Sequence, residues 1–141
     1  MALSTAERDA LLAESLVAAL AATAEGGRGP LNVPVWYAYH PGADFMITTG
    51  GGSRKARLIA SAGRFTLLVD RTAPTYRYVT AEGPVTSTAA TTDEELAEIS
   101  ARYMPADKVP AYMEQLRSSE DDMVTIRMRP EHWLSADLGS V

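Results

Sequence analysis

Clusters of turn-forming residues cut this chain into pieces that suit strands and brief helices and little else. Glu25-Gly26-Gly27-Arg28-Gly29, His40-Pro41-Gly42-Ala43, Gly50-Gly51-Gly52 and Asp70-Arg71-Thr72-Ala73-Pro74 combine residues that tolerate positive φ or preset a bend. Between them lie apolar and β-branched runs at residues 16–23, 31–39, 44–49, 65–69 and 75–87. The run at 16–23 is alanine-rich and helix-compatible, but its glycine turn and the apolar run beyond predict a hairpin. Residues 123–129 alternate, with Val124, Ile126 and Met128 on one face and Thr125, Arg127 and Arg129 on the other, giving a sixth strand that Pro130 ends. Trp133-Leu134 opens a short final strand.

Two positions in these runs stand out. Pro34 has no N–H to donate to a ladder, so it belongs on an edge, at a bulge, or where a ligand approaches the backbone. Gly83-Pro84 marks a bulge or bend. Helices are signalled by Ser4-x-x-Glu7 and Thr92-x-x-Glu95, two capping boxes; Leu96, Ile99 and Tyr103 then give the second helix one apolar face until Pro105. Ser53 caps a helix to about Ala62, with Gly63 set to end it in a left-handed conformation. Another helical piece runs from Pro110 to Arg117, and Glu120-Asp121-Asp122 reads as a solvated turn. The pattern predicts a mainly β domain with helical insertions, a small barrel rather than a doubly wound sheet, spanning residues 1–141 as one unit.

Composition narrows the chemistry. The 141 residues include no cysteine and two histidines, His40 and His132, far apart, so thiolate chemistry is excluded and a metal site is not expected. Lys and Arg number 13 against 18 Asp and Glu, a net charge of −5 that disfavours nucleic acid. Met1-Ala2-Leu3-Ser4 carries no basic leader, and the apolar stretch at 16–22 is too short to span a bilayer, so a cytoplasmic, membrane-free protein is expected. No GxSxG elbow accompanies either histidine, which argues against a hydrolytic triad.

One segment concentrates chemical potential: Thr48-Thr49-Gly50-Gly51-Gly52-Ser53-Arg54-Lys55-Ala56-Arg57. Three cations in the first turn of a helix oppose its dipole at roughly 0.3–1 kcal/mol each. A bound anion reverses that sign. Glycines let backbone amides converge, and Ser53, Arg54 and Lys55 add a hydroxyl and charge-assisted donors, which together describe a phosphate cradle. A solvated basic turn is the plainer alternative. The spacing fits neither a Walker loop nor a GxGxxG fingerprint.

Pro34-Val35-Trp36-Tyr37, then Phe45-Met46-Ile47-Thr48-Thr49 and Ser53-Arg54-Lys55-Ala56, resemble the pyridoxamine 5′-phosphate oxidase superfamily. Arg64 to Val69, Pro74-Thr75-Tyr76-Arg77-Tyr78-Val79 and Glu82-Gly83 resemble its next strands. Arg102-Tyr103-Met104 and Ile126-Arg127-Met128-Arg129-Pro130 resemble its deazaflavin-dependent branch. The resemblance runs from about Ala22 to Ala136. It implies an FMN-binding-type split β-barrel, a homodimer with two cofactor sites between subunits, and a small-molecule substrate. Ser53, Arg54, Lys55 and Arg57 would hold the cofactor phosphate with Thr48 and Thr49 nearby, and Pro34, Val35, Trp36 and Tyr37 would face the ring. Leu58 stands where the branch often has asparagine, which weakens the assignment of Arg57.

The implied activity is hydride transfer between coenzyme F420 and an unsaturated acceptor, with one ring face open toward residues 74–78 and Tyr76 or Arg77 as proton donor or orienting group. FMN in the same cradle is the alternative cofactor, and extra cations such as Arg28 or Arg57 would favour the glutamate-tailed deazaflavin. A non-catalytic flavin, deazaflavin or haem binder is a third reading. Trp36, Tyr37, Tyr76 and Tyr78 suggest a ring-stacking wall only as a group; singly, each reads as barrel core or subunit interface.

Overall fold

The computed structural model describes residues 1–119 and 122–139; Glu120 and Asp121, two residues of the expected acidic turn, lie outside them. The elements are α1 (Thr5–Ala13), β1 (Ala18–Ala22), β2 (Leu31–Val35), β3 (Tyr37–Ala38), β4 (Phe45–Gly50), α2 (Arg54–Ala62), β5 (Arg64–Arg71), β6 (Arg77–Ala90), α3 (Asp93–Tyr103), a single 3₁₀ turn (Ala106–Lys108), α4 (Val109–Arg117), β7 (Met123–Met128) and β8 (His132–Asp137). All strand pairs are antiparallel, in the order β2-β1-β5-β6-β7-β4-β3, with β8 paired to β6. This is a split β-barrel with helices inserted between strands, and the run at 16–23 is a strand of the expected hairpin.

Both capping boxes form. Ser4 Oγ accepts from the Glu7 amide at 3.1 Å, and Thr92 Oγ1 from the Glu95 amide at 3.1 Å. Gly63 ends α2 at φ 72°. The six expected strands plus a final piece become eight because the run at 31–39 divides at Trp36: β2 pairs with β1, whereas β3 pairs with β4. Pro34 lies on β2, at the edge of the sheet, where a missing donor costs least.

β6 makes the corner of the barrel. Its first half pairs with β5 and β8, its second half with β7, and the register shifts between Val85 and Ser87. The crossing is tight: a Cβ at Gly83 would fall 1.7 Å from the Arg129 carbonyl oxygen, so only glycine lets the end of β7 pass.

Inside the barrel, Leu20, Leu67 and Ala81 stand opposite one another across β1, β5 and β6, and Leu11 and Leu12 of α1 join this core. On β7, Ile126 and Met128 face inward as the alternation predicts. The other face is not solvent. Thr125 and Arg127 donate to Glu95 of α3 at 3.1 and 2.7 Å, so this helix covers it. Burial pushes the Glu95 carboxyl up, but hydrogen bonds from Thr92, Arg127 and Thr125 outweigh it and hold the pKa below its ordinary value.

Candidate cofactor site

The glycine loop is held from both ends. Thr48 and Thr49 of β4 stand opposite Thr125 and Val124 of β7, and the Gly51 amide donates to the Asp122 carbonyl at 2.8 Å. A Cβ on Gly51 would meet that carbonyl at 3.2 Å and Val124 Cγ1 at 3.3 Å, so the chain here runs close against β7. Ser53 Oγ then accepts the Ala56 amide at 3.1 Å and fixes the start of α2, which has no acidic residue in its first turn.

A cavity of about 270 Å³ opens beside this turn. Thr48 and Lys55 line it together with Pro34, Val35 and Trp36, and Val17, Tyr112 and Met123 complete the lining. Burial holds the Lys55 ammonium below the ordinary lysine pKa, and among the described residues no carboxylate pairs with it. A half-buried cation without a counter-charge is costly; an anionic group in the cavity would offset that cost. Trp36 stacks on Tyr103, centroids 4.8 Å apart and planes 11° apart, and leans toward Tyr112 at 5.8 Å.

A second cavity, about 610 Å³, gathers Arg28, Arg54 and Arg57 with Glu25, Gly26 and the buried Leu58. Arg57 also reaches back to donate to the Gly52 carbonyl at 2.9 Å, bracing the loop. Arg54 and Lys55, neighbours in sequence, thus line different cavities, so α2 presents cations to two spaces.

A third cavity, about 330 Å³, runs over the outer face of β1 and β2 and shares Val17 and Pro34 with the first. It continues along a row fixed by strand register and apolar except for Thr80: Pro34, Ala19, Leu68, Thr80 and Leu134 stand opposite one another on five neighbouring strands. Leu68 and Leu134 on this row are 39% and 61% exposed.

Pro34, Val35, Trp36, Thr48 and Lys55 therefore meet at one cavity, with Ser53 at the helix start beside it. Thr49 is buried behind the loop, its Oγ1 3.3 Å from Ser53 Oγ. Arg54 and Arg57 face the second cavity. Tyr37 is fully buried in the barrel, where its hydroxyl donates to the Leu12 carbonyl at 2.8 Å and burial pushes the phenol up, so its side chain is core and does not line the cavity. Tyr76 and Arg77 lie elsewhere. Tyr76 donates to Asp70 Oδ2 at 2.9 Å, and Arg77 pairs with Glu7 and Asp137 at 3.0 and 2.9 Å, tying α1 to β8.

Tyr76 and Tyr78 do not join Trp36 in an aromatic wall; Tyr103 and Tyr112 do. Tyr112 and Met123 carry no motif of their own. Their part in the site follows from α4 packing on α3 and from β7 lying beside β4. His40 pairs with Glu98 on the surface, and the described residues hold no cluster of metal-binding side chains. None of their helices is long and apolar enough to cross a membrane.

Solved structures share this backbone. An F420 reductase is 24% identical with a TM-score of 0.70, over 89% of this chain and 94% of its own. A conserved hypothetical protein of Mycobacterium tuberculosis is 23% identical with a TM-score of 0.73, over 96% and 85%. A FAD-binding protein of Mesorhizobium loti is 18% identical with a TM-score of 0.63, over 96% and 95%. At these identities the likeness establishes the fold alone, and no curated protein sequence matches the chain. The sequence pattern of pyridoxamine 5′-phosphate oxidase, however, matches residues 4–136, nearly the whole length, and the chain belongs to that family.

Proposed function

We propose that the chain is an oxidoreductase that uses coenzyme F420, working as a cytoplasmic homodimer of one cofactor-binding domain per subunit. The carrying observation is the half-buried Lys55, which no carboxylate among the described residues pairs with, lining one cavity with Pro34, Val35 and Trp36, while three arginines gather at the other cavity beside the same helix. Ser53 and Lys55 would hold the phosphate and Arg28, Arg54 and Arg57 the carboxylates of the tail, the cations through charge-assisted donors. When bound, the deazaflavin supplies hydride transfer to or from an unsaturated small molecule. The chain's own task is to hold the ring, neutralise the phosphate and exclude water from one face.

The outer row supports the homodimer: it adjoins the cavity through Pro34, so a second copy seated there would close the groove. FMN is the second reading. It would use the same phosphate donors, and the likeness to a FAD-binding protein favours a flavin; Arg28 and Arg57 would then have no tail carboxylate to meet.

The test is a fluorescence titration of the protein and of Lys55→Ala with FMN and with F420, followed by turnover of the reduced coenzyme with a cyclic enone. Tighter binding of F420, weakened in Lys55→Ala, is expected. A preference for FMN overturns the cofactor assignment, and unchanged affinities in Lys55→Ala overturn the cradle.

A further inference from the structure

Arg102 and Tyr103, at the end of α3, touch neither the phosphate cradle nor the arginine cavity, yet both reach across to the segment between α1 and β1. The Arg102 guanidinium donates to the Leu12 and Glu14 carbonyls at 3.3 and 2.9 Å and lies over the Tyr37 ring at 4.7 Å. It thereby satisfies carbonyls that the end of α1 leaves without helical partners. The Tyr103 hydroxyl accepts the Tyr37 amide at 3.3 Å and has two carbonyls within reach of its one proton, Leu16 at 2.9 Å and Tyr37 at 3.3 Å. The nearer one, Leu16, takes it.

These bonds fall at two chosen points. Tyr37 follows Trp36, the residue at which the strand leaves one sheet for the other, and Leu16 precedes Val17. Trp36 and Val17 both line the 270 Å³ cavity. The ring of Tyr103 meanwhile stacks on Trp36. One phenol therefore holds two parts of the cavity lining that come from different segments, by stacking on one side and by a backbone hydrogen bond on the other.

We propose that Tyr103 is a positioning residue that fixes Trp36 and Val17 relative to each other in the lining of this cavity. The consequence for cofactor binding rests on the function proposed above; the positioning itself does not. Removing the hydroxyl while keeping the ring takes its bonds from the Leu16 carbonyl and the Tyr37 amide, and the segments that carry Val17 and Trp36 lose their common tie.

Tyr103→Phe, made in a Trp133→Phe background so that Trp36 is the only fluorophore of its kind, tests this in two arms. In the free protein, acrylamide quenching of Trp36 is expected to rise in Tyr103→Phe while the melting transition stays cooperative. Unchanged quenching overturns the proposal whether or not any cofactor binds. In the second arm, FMN affinity is measured for Tyr103→Phe, Val17→Ala and the double variant. A loss of about three- to tenfold for the first is expected, with a non-additive double variant, because both act on the same wall. Additive losses overturn the coupling to Val17. If the parent binds neither FMN nor F420 but quenching rises, the positioning stands and the cofactor reading fails.

Discussion

The hydroxyls of Thr49 and Ser53 lie 3.3 Å apart across the glycine loop, tying the end of β4 to the residue that caps α2. Ser53 thus has two separable tasks, capping the helix and lining the cradle. Ser53→Ala removes both and is expected to cost about 1 kcal/mol of stability together with FMN affinity. Ser53→Asp restores the cap but places a negative charge beside the anion, so melting temperature should recover while affinity falls further. An aspartate variant that binds FMN as well as the parent would show that no phosphate sits there.

Lys55 gives the site a pH signature. Burial lowers its pKa, so between that value and the ordinary 10.5 the folded chain binds fewer protons than the unfolded one, and stability rises with pH across this window. A bound phosphate favours the charged ammonium and reverses the effect. FMN affinity is therefore expected to be highest below the lowered pKa and to weaken as pH climbs through it. Lys55→Gln should flatten both profiles, measured by thermal melts and by titration at several pH values.

How much of this was legible depends on which interactions were local. The hairpin, both capping boxes and the glycine-to-serine start of α2 are written in adjacent residues, and they formed as read. Tyr37 begins β3 and its ring goes into the barrel core, whereas Trp36, at the break between β2 and β3, lines the cavity. Reading Trp36 and Tyr37 as one wall missed that the chain changes sheets between them. Tyr112 was not legible, because its approach to Trp36 depends on how α4 folds back against α3, and no spacing within α4 encodes it. Arg77 looked like a site residue because it sits in a family-like motif; the carboxylates that claim it come from the two ends of the chain.

The arginine cavity separates the two cofactor readings. Arg28→Ala and Arg57→Ala remove cations that a glutamate tail would meet and that FMN, ending at its phosphate, would not. F420 affinity is expected to fall severalfold in each, more for longer tails and less at high salt, with FMN affinity nearly constant for Arg28→Ala. Arg57→Ala also removes the bond that braces the loop at the Gly52 carbonyl, so a modest loss for both ligands is expected there. Equal losses for both cofactors in Arg28→Ala would place the tail elsewhere.

The apolar row on the outer sheet predicts self-association. Leu68→Glu and Leu134→Glu put charges on exposed positions of that row without touching the barrel interior. Light scattering should show a dimeric parent and monomeric variants with little change in melting temperature at high dilution, and the monomers should bind cofactor weakly because the groove stays open. A monomeric parent at working concentration would remove the shared site.

Arg77 anchors the fold in this arrangement. Backbone and side-chain bonds from Ser4 hold the Glu7 carboxyl low, with Arg77 adding to them, and the Gly139 amide and Arg77 do the same for Asp137. Carboxyls lowered in the folded state stabilise it above their unfolded pKa values of about 4.5 and 3.8, and that contribution fades as pH falls through the folded ones. Arg77→Ala should lower the melting temperature at neutral pH and shift acid unfolding to higher pH, because part of what holds both carboxyls low is gone. Its turnover number below the melting range is expected to match the parent's. A variant that melts normally but loses turnover would return Arg77 to the reaction.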